Sequence, residues 1–309
     1  MKILLSVDPT KNSQAIARCW GQFPIPSGTD LYLLQVIEVG RDQIAIDHSR
    51  VWERTLTIAR TAWLKEAKAF LEKIRKYFSR TPDNKLNSFT AEGIPGEEIL
   101  RIISTHRIDL VALGNRGLSG IKRFLLGSTS DRVLREAPCS VVIFRNKSRY
   151  AKKSNLTKNF KILLASEGPT DGLPSFEMLQ SLNFFGSTSI SILQVVEPPS
   201  FLPNWFFTKK NPKLIKMSEE LMKRAQRTGQ KHVREITKKF EAHGIKTKNS
   251  FSTGNPADEI LKAEKRLKPD LIVMGANGWT DGTPIPLGGV ARKVARYATC
   301  SVLVVRSKK

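Results

Sequence analysis

Between residues 114 and 129 a set of small residues stands at fixed spacing. Gly114 is followed after two residues by Gly117, and after nine more by Gly127, Ser128 and Thr129. Glycine turns that feed a helix bring main-chain N–H groups close to an anion, and the helix dipole favours negative charge there. The stretch 128–136 reads as a helix with Val133 and Leu134 on its apolar side, so its first amides and the Ser128 hydroxyl suit phosphate. Lys122 and Arg123, inside the intervening segment, suit the offsetting of phosphate charge. Asp8, with Pro9 after it, closes the first apolar run and is placed to accept from a ribose hydroxyl. Each residue also has a plainer use: glycines make turns, Ser128 can be a helix N-cap, and Asp8 can cap the helix after it.

The elements that must hold these residues are written twice. KILLSVD at 2–8 returns as KILLASE at 161–167, and LLQVIE at 33–38 as ILQVVE at 192–197. GIPGEEIL at 93–100 matches GNPADEIL at 254–261, DLVALGNRG at 109–117 matches DLIVMGANG at 270–278, and APCSVVIFR at 137–145 matches ATCSVLVVR at 298–306. The offset is 159 for the first two pairs and 161 for the last three, so the chain is a tandem duplication of one unit. Residues 1–145 form the first unit, 146–159 a basic linker without acids, and 160–309 the second unit.

In the first copy Ile3–Val7, Leu31–Val36, Leu86–Thr90, Leu110–Leu113 and Val141–Phe144 are short β-rich runs of the kind a parallel sheet buries on both faces. A long amphipathic helix is expected between the second and third, with Trp52, Leu56, Ala59, Trp63, Ala67 and on to Phe78 on its apolar side. The second copy has Leu214, Met217, Leu221, Ala225, Val233, Ile236 and Phe240 in the same role, closing at Gly244 as a helix C-cap. Strand and helix alternating in this way predict an α/β fold of two tandem doubly wound parallel sheets, joined by right-handed crossovers. Ligands of such sheets bind beyond the carboxyl ends of the strands, which is where Asp8 and Gly114 fall.

With KILLSVD at the start, the GIPGEEI turn and a complete Gly-x2-Gly-x9-Gly-Ser/Thr, the sequence resembles the universal stress protein family over nearly its whole length. The resemblance implies a five-stranded parallel sandwich in each unit, of the adenine-nucleotide-hydrolase type, and a cytoplasmic, regulatory stress-response role. It implies ATP, or AMP or ADP, with Mg²⁺: phosphates on Gly114, Gly117, Gly127, Ser128 and Thr129, ribose on Asp8 and Pro9, adenine on the Val36 backbone. The metal ligands stay unassigned. It also implies pairing of the two units through their last strands, pseudo-two-fold related, with room for a further homodimer. CSVVIFR and CSVLVVR are apolar edge strands that such pairing would cover.

The second copy keeps Gly275, Gly278 and Gly288, but Gly289 replaces the hydroxyl residue, Glu167 stands at the Asp8 position, and Asp281 enters a stretch that has lost Lys122 and Arg123. A degenerate site with weak or no nucleotide binding is expected there.

No Ser-His-Asp set, histidine pair at metal spacing or Gly-Lys-Ser/Thr phosphate loop is present, so no catalytic residue is assigned; slow ATP hydrolysis or autophosphorylation at Ser128 or Thr129 rests on family analogy alone. His48, His106, His232 and His243 are dispersed and expected to face solvent, while Cys19, Cys139 and Cys300 have no disulfide or zinc spacing and are expected to be buried thiols.

The formal charge is +23. Residues 209–248 hold 13 basic and 4 acidic residues. The plain reading is a solvated helix face. The alternative is a basic interaction module, in which residues 201–248, led by Phe201, Leu202, Trp205, Phe206 and Phe207, dock on an anionic membrane surface, a membrane protein or nucleic acid.

Overall fold

The computed structural model describes the chain apart from residues 22–24, 39–49, 79–83, 116–125, 146–159, 167–168, 185–187, 199–211, 277–278, 281–282, 285–286 and 308–309. The chain divides into two compact units, Met1–Leu156 with Arg306–Lys309, and Thr157–Val305.

The first unit runs β1 (Lys2–Ser6), α1 (Lys11–Trp20), β2 (Asp30–Ile37), α2 (Arg50–Arg75), β3 (Lys85–Glu92), α3 (Pro95–His106), β4 (Leu110–Gly114), α4 (Ser128–Glu136) and β5 (Ser140–Phe144). Its strands are parallel and ordered 3-2-1-4-5. The chain leaves β1 toward β2 on one side and returns to β4 on the other, so the strand order reverses between β1 and β4. The core strands are apolar on both faces: Ile3, Leu4, Val111, Ala112, Val141 and Ile143 are all fully buried. Asp109, just ahead of β4, accepts from the Lys2 N–H at 2.8 Å and so pins the two central strands at their starts.

The second unit repeats this plan with β6 (Phe160–Ser166), α5 (Pro169–Ser181), β7 (Thr188–Val196), α6 (Pro212–Ala242), β8 (Lys246–Thr253), α7 (Pro256–Leu267) and β9 (Leu271–Gly275). It adds a small antiparallel pair, β10 (Trp279–Thr280) and β11 (Thr283–Pro284), before α8 (Gly289–Tyr297) and β12 (Ser301–Val305). The five long strands are ordered 8-7-6-9-12, all parallel. Asp270 repeats the Asp109 clamp on the Lys161 N–H at 2.9 Å. Backbone devices repeat as well: α3 and α7 both end in a left-handed residue, Arg107 at φ 53° and Lys268 at φ 49°. Gly244, after α6, has φ +73°, the conformation a helix-ending glycine supplies at least cost.

The long helices differ from the sequence expectation along part of their length. Ala67, Leu71 and Ile74 of α2 and Val233, Ile236 and Phe240 of α6 are buried, but Trp63, Met217 and Leu221 are 38%, 55% and 37% exposed, and Ala225 is exposed too. The cause is length. Twenty-six helical residues span about 39 Å, whereas an eight-residue strand spans about 27 Å. The N-terminal turns of each helix therefore project beyond the strands they would pack on.

Candidate functional site

Beyond the carboxyl ends of β1 and β4 the first unit holds a cavity of about 420 Å³. One wall is the end of β1 with Ser6, Val7, Asp8 and Pro9, and the opposite wall is Gly114, Gly127, Ser128, Thr129 and Ser130. Val36 and Glu38, at the end of β2, and Pro95, Ile99 and Leu113 complete the lining with a mostly apolar surface. Asp8, Pro9, Val36, Gly114, Gly127, Ser128 and Thr129 thus share one space, while Gly117, Lys122 and Arg123 lie outside the described residues.

The β1 side is held by a local hydroxyl network. Thr10 is the N-cap of α1, its hydroxyl accepting from the Ser13 N–H at 3.1 Å. Asp8 Oδ1 accepts from the Thr10 N–H at 3.1 Å and from the Thr10 hydroxyl, and the Asp8 N–H donates to Ser13 Oγ at 2.9 Å. The carboxylate is therefore oriented rather than free to swing, with Oδ2 unpartnered among the described residues. Asp8 supports the helix start, as one plain reading of it held, but through Thr10.

On the other side Gly127, not Ser128, is the N-cap of α4, at φ −64° and ψ 153°. No side chain caps this helix, so its first amides are left for another acceptor. Asp131 N–H takes the Gly127 carbonyl at 2.8 Å, and Gly127 N–H donates to Asn115 at 3.0 Å, tying the helix start to the end of β4. The buried Ser130 hydroxyl donates to the Gly114 carbonyl at 2.7 Å, a second tie. Ser13 and Ser130 were not singled out from sequence. Their only signal was a hydroxyl a few residues beyond a motif residue, five after Asp8 and three after Gly127, too common a feature to select them.

The counterpart space in the second unit, bordered by Ala165, Ser166, Val195, Pro256, Met274 and Gly275, is about 10 Å³. Gly288 caps α8 as Gly127 caps α4, and its N–H donates to Ala276 at 2.8 Å, so the backbone frame survives. The side chains do not: Gly289, Val290 and Ala291 follow where Ser128, Thr129 and Ser130 stand in the first unit, and Pro169 and Gly172 occupy the places of Thr10 and Ser13. Glu167, Gly278 and Asp281 lie outside the described residues.

Of the histidines, His243 is exposed, but two depart from the solvent-facing expectation. His106 is half-buried against Tyr32 and Phe89, with ring centroids 5.1 and 5.2 Å away, and the His232 side chain is 17% exposed. Both lie on helix faces that turn toward the sheet; His48 is outside the described residues. All three cysteines are buried. Burial pushes the Cys19 thiol up to about 11 and the Cys139 thiol up to about 12, which keeps both protonated and unreactive near neutral pH. Among the described residues no three His, Cys, Asp or Glu side chains converge as a metal site, and no helix is long and apolar enough to cross a membrane.

A model described as the universal stress protein family matches residues 1–145 and again 161–306. Curated universal stress proteins align with parts of the chain. One from Methanocaldococcus jannaschii is 41% identical over 81 residues, 26% of this chain and 48% of that protein. One from Bacillus subtilis is 32% identical over 88 residues, 28% of this chain and 60% of that protein. One from Mycolicibacterium smegmatis is 28% identical over 207 residues, 64% of this chain and 62% of that protein. The chain thus spans about half the length of the first of these relatives and about three fifths of the other two. The crystal structure of a universal stress protein from Archaeoglobus fulgidus superposes with a TM-score of 0.65 at 19% identity, covering 99% of this chain and 98% of that one, a likeness of fold.

Proposed function

Because the chain belongs to the universal stress protein family, its fold carrying two copies of that family's unit, we propose that the first unit binds an adenine nucleotide, ATP or its di- or monophosphate, in a regulatory stress-response role. The carrying observation is the 420 Å³ cavity in which an oriented carboxylate, Asp8, faces the uncapped N-terminus of α4. Phosphates would take the amides of Ser128 and Thr129 and the Ser128 hydroxyl, with Gly114, Gly117 and Gly127 allowing close approach. The ribose would meet Asp8 and Pro9, and the adenine would lie along Val36, Pro95 and Ile99. Mg²⁺ fits as a companion of the phosphates rather than a resident ion, since it is commonly held by one or two carboxylates plus substrate oxygens. In this reading the described residues of the crevice bind and orient the nucleotide.

In the second unit the loss of Thr10, Ser13, Ser128 and Ser130 equivalents supports a degenerate site that does not bind nucleotide. Calorimetry of the full chain with ATP tests both halves of the reading. The expected stoichiometry is one per chain, and no saturation up to about 1 mM, a weak affinity of only ~4 kcal/mol, would end it.

A second reading rests on α6. Arg227, Lys231, Arg234 and Lys238 recur at helical spacing on its exposed side and border a shallow depression with Glu235 as the one acid there. Such a stripe suits an anionic membrane leaflet, a membrane protein or nucleic acid, while Phe201, Leu202, Trp205, Phe206 and Phe207 lie outside the described residues. Sedimentation with anionic vesicles and DNA retardation across a salt series test it, and binding indifferent to salt would remove it.

A further inference from the structure

At the end of the second sheet away from the crevice, where β6, β7 and β8 begin, lies a cavity of about 620 Å³, within the usual size of small-molecule sites. Parallel register sets Lys161 beside Ser189 and Ser189 beside Lys246. One step along, it sets Leu163 beside Ser191 and Ser191 beside Lys248. Alternation then brings all these side chains to one face of the sheet, the face that α7 covers. Leu267 and Pro269, at and just after the end of α7, close the cavity with apolar surface.

The first unit plugs the same place. Tyr32 stands at the Ser191 position, Phe89 at that of Ser250 and His106 at that of Leu267. The Tyr32 and Phe89 rings stack at 6.0 Å, the Tyr32 and His106 rings lie 5.1 Å apart, and Tyr32 is only 7% exposed. Positive charge is lower there too, since Asp30 lies in register between Lys2 and Lys85. Asp30 stands where the second unit has Ser189, Asn87 where it has Lys248, and Lys2 Nζ is engaged by the His106 carbonyl at 3.1 Å.

Four exchanges in the second unit therefore run in one direction: two rings become hydroxymethyl groups, an acid becomes neutral, and an amide becomes a cation. Lys161, Lys246 and Lys248 have no ion-pair partner among the described residues. The one acid lining the cavity, Glu241, accepts from Thr247, which points to the other face of β8. A merely solvated basic surface accounts for the lysines but not for removal of the plug behind them. We infer that this cavity is a binding site for a small organic phosphate, its apolar body taking the place that the Tyr32 ring fills in the first unit and its phosphate meeting Lys161, Lys246 and Lys248.

The test is calorimetric titration of the full chain with phenyl phosphate, run beside phenol and inorganic phosphate. Phenyl phosphate is expected to saturate, with each of the half-ligands binding at least about tenfold more weakly, since neither supplies both contacts. Ser191→Tyr, which restores the plug, is expected to abolish this binding. Lys248→Asn and Ser189→Asp, conservative surface changes that copy the first unit, are each expected to weaken it about three- to tenfold, through charges only partly screened by salt. The proposal is overturned by lack of saturation up to about 10 mM, or by inorganic phosphate binding as tightly as phenyl phosphate. It is equally overturned if affinity is unchanged in Lys248→Asn and Ser189→Asp, or in a folded Ser191→Tyr protein.

Discussion

In the first unit the space between the ends of β1 and β4 is bordered by an oriented carboxylate and a run of hydroxyls; in the second, the described residues at the ends of β6 and β9 border a space of only about 10 Å³, and Gly289, Val290 and Ala291 stand where the hydroxyls would be. The devices common to both are those of the backbone. Asp109 and Asp270 clamp the central strands, Arg107 and Lys268 end their helices in the left-handed region, and Gly127 and Gly288 cap the helices that face the crevice. What differs is the set of side chains that would touch a ligand. A duplicated sheet can lose one site and keep its frame, because the clamps on its central strands, Asp109 and Asp270, act at the strand starts and not in the crevice.

The sharpest way to break this comparison is to fill the first crevice. Gly127 has a φ open to any residue, so Gly127→Val leaves the backbone unstrained and puts its branched side chain at the cavity wall. ATP affinity is expected to fall on the order of a hundredfold, the worth of one or two charge-assisted hydrogen bonds. The matching Gly288→Val in the second unit is expected to leave ATP binding as it was. Equal losses in both variants, read by calorimetry, would mean that the units share the ligand.

A second contrast concerns stability. Glu264 is buried in the second unit, where one oxygen accepts from the Thr299 N–H and hydroxyl and the Cys300 N–H at 2.6, 2.7 and 2.8 Å. The first unit has the apolar Ile103 in that position. Glu264→Ala is expected to cost roughly 1–3 kcal/mol, since it strands the buried Cys300 N–H while the exposed Thr299 donors turn to water, and to loosen β12 and α8 in hydrogen exchange while β5 and α4 stay protected.

Much of this architecture was legible in the residues. The repeat set the number of units, and the apolar β-rich runs of the first copy located its five strands to within two residues at each end, as the 128–136 pattern located α4, whereas α1 and α3 were given no bounds. The overhang of α2 and α6 was not legible, because amphipathic spacing shows which side of a helix is apolar and not how far the sheet beneath it extends. Of the residues that line the crevice, Gly114 and Gly127 were readable from spacing and Asp8 from its place at a strand end. Ser13 and Ser130 were not, since a hydroxyl that ties one backbone to another leaves no periodic trace. The Tyr32 plug and its absence at Ser191 became visible only when register brought β2, β3 and α3 together.

A smaller effect tests which of the first unit's hydroxyls the second unit has room to regain. Gly289 has open space around an added Cβ, whereas a Cβ on Gly172 would stand 2.0 Å from Ile236 Cδ1. Ile236 is buried and β-branched, with little freedom to move aside. Gly289→Ser is therefore expected to be neutral in thermal unfolding, while Gly172→Ser costs roughly 1–3 kcal/mol through overpacking. The hydroxyl that Ser13 supplies in the first unit is thus barred from the second by the packing of α5 on α6.

The smallest expected change is at Ser130. Its hydroxyl bond to the Gly114 carbonyl joins the start of α4 to the end of β4, and the second unit manages with Ala291 in the same place. Ser130→Ala is therefore expected to cost only ~1 kcal/mol, the net worth of one neutral hydrogen bond. Its effect on ATP affinity separates two roles. If the bond merely staples the elements, affinity stays within about twofold, less than the ~0.5–1.5 kcal/mol of the lost bond. If it aims the amides of Ser128 and Thr129 at the phosphates, affinity falls by more than the stability loss explains, and Ser130→Thr, which keeps the hydroxyl, restores it.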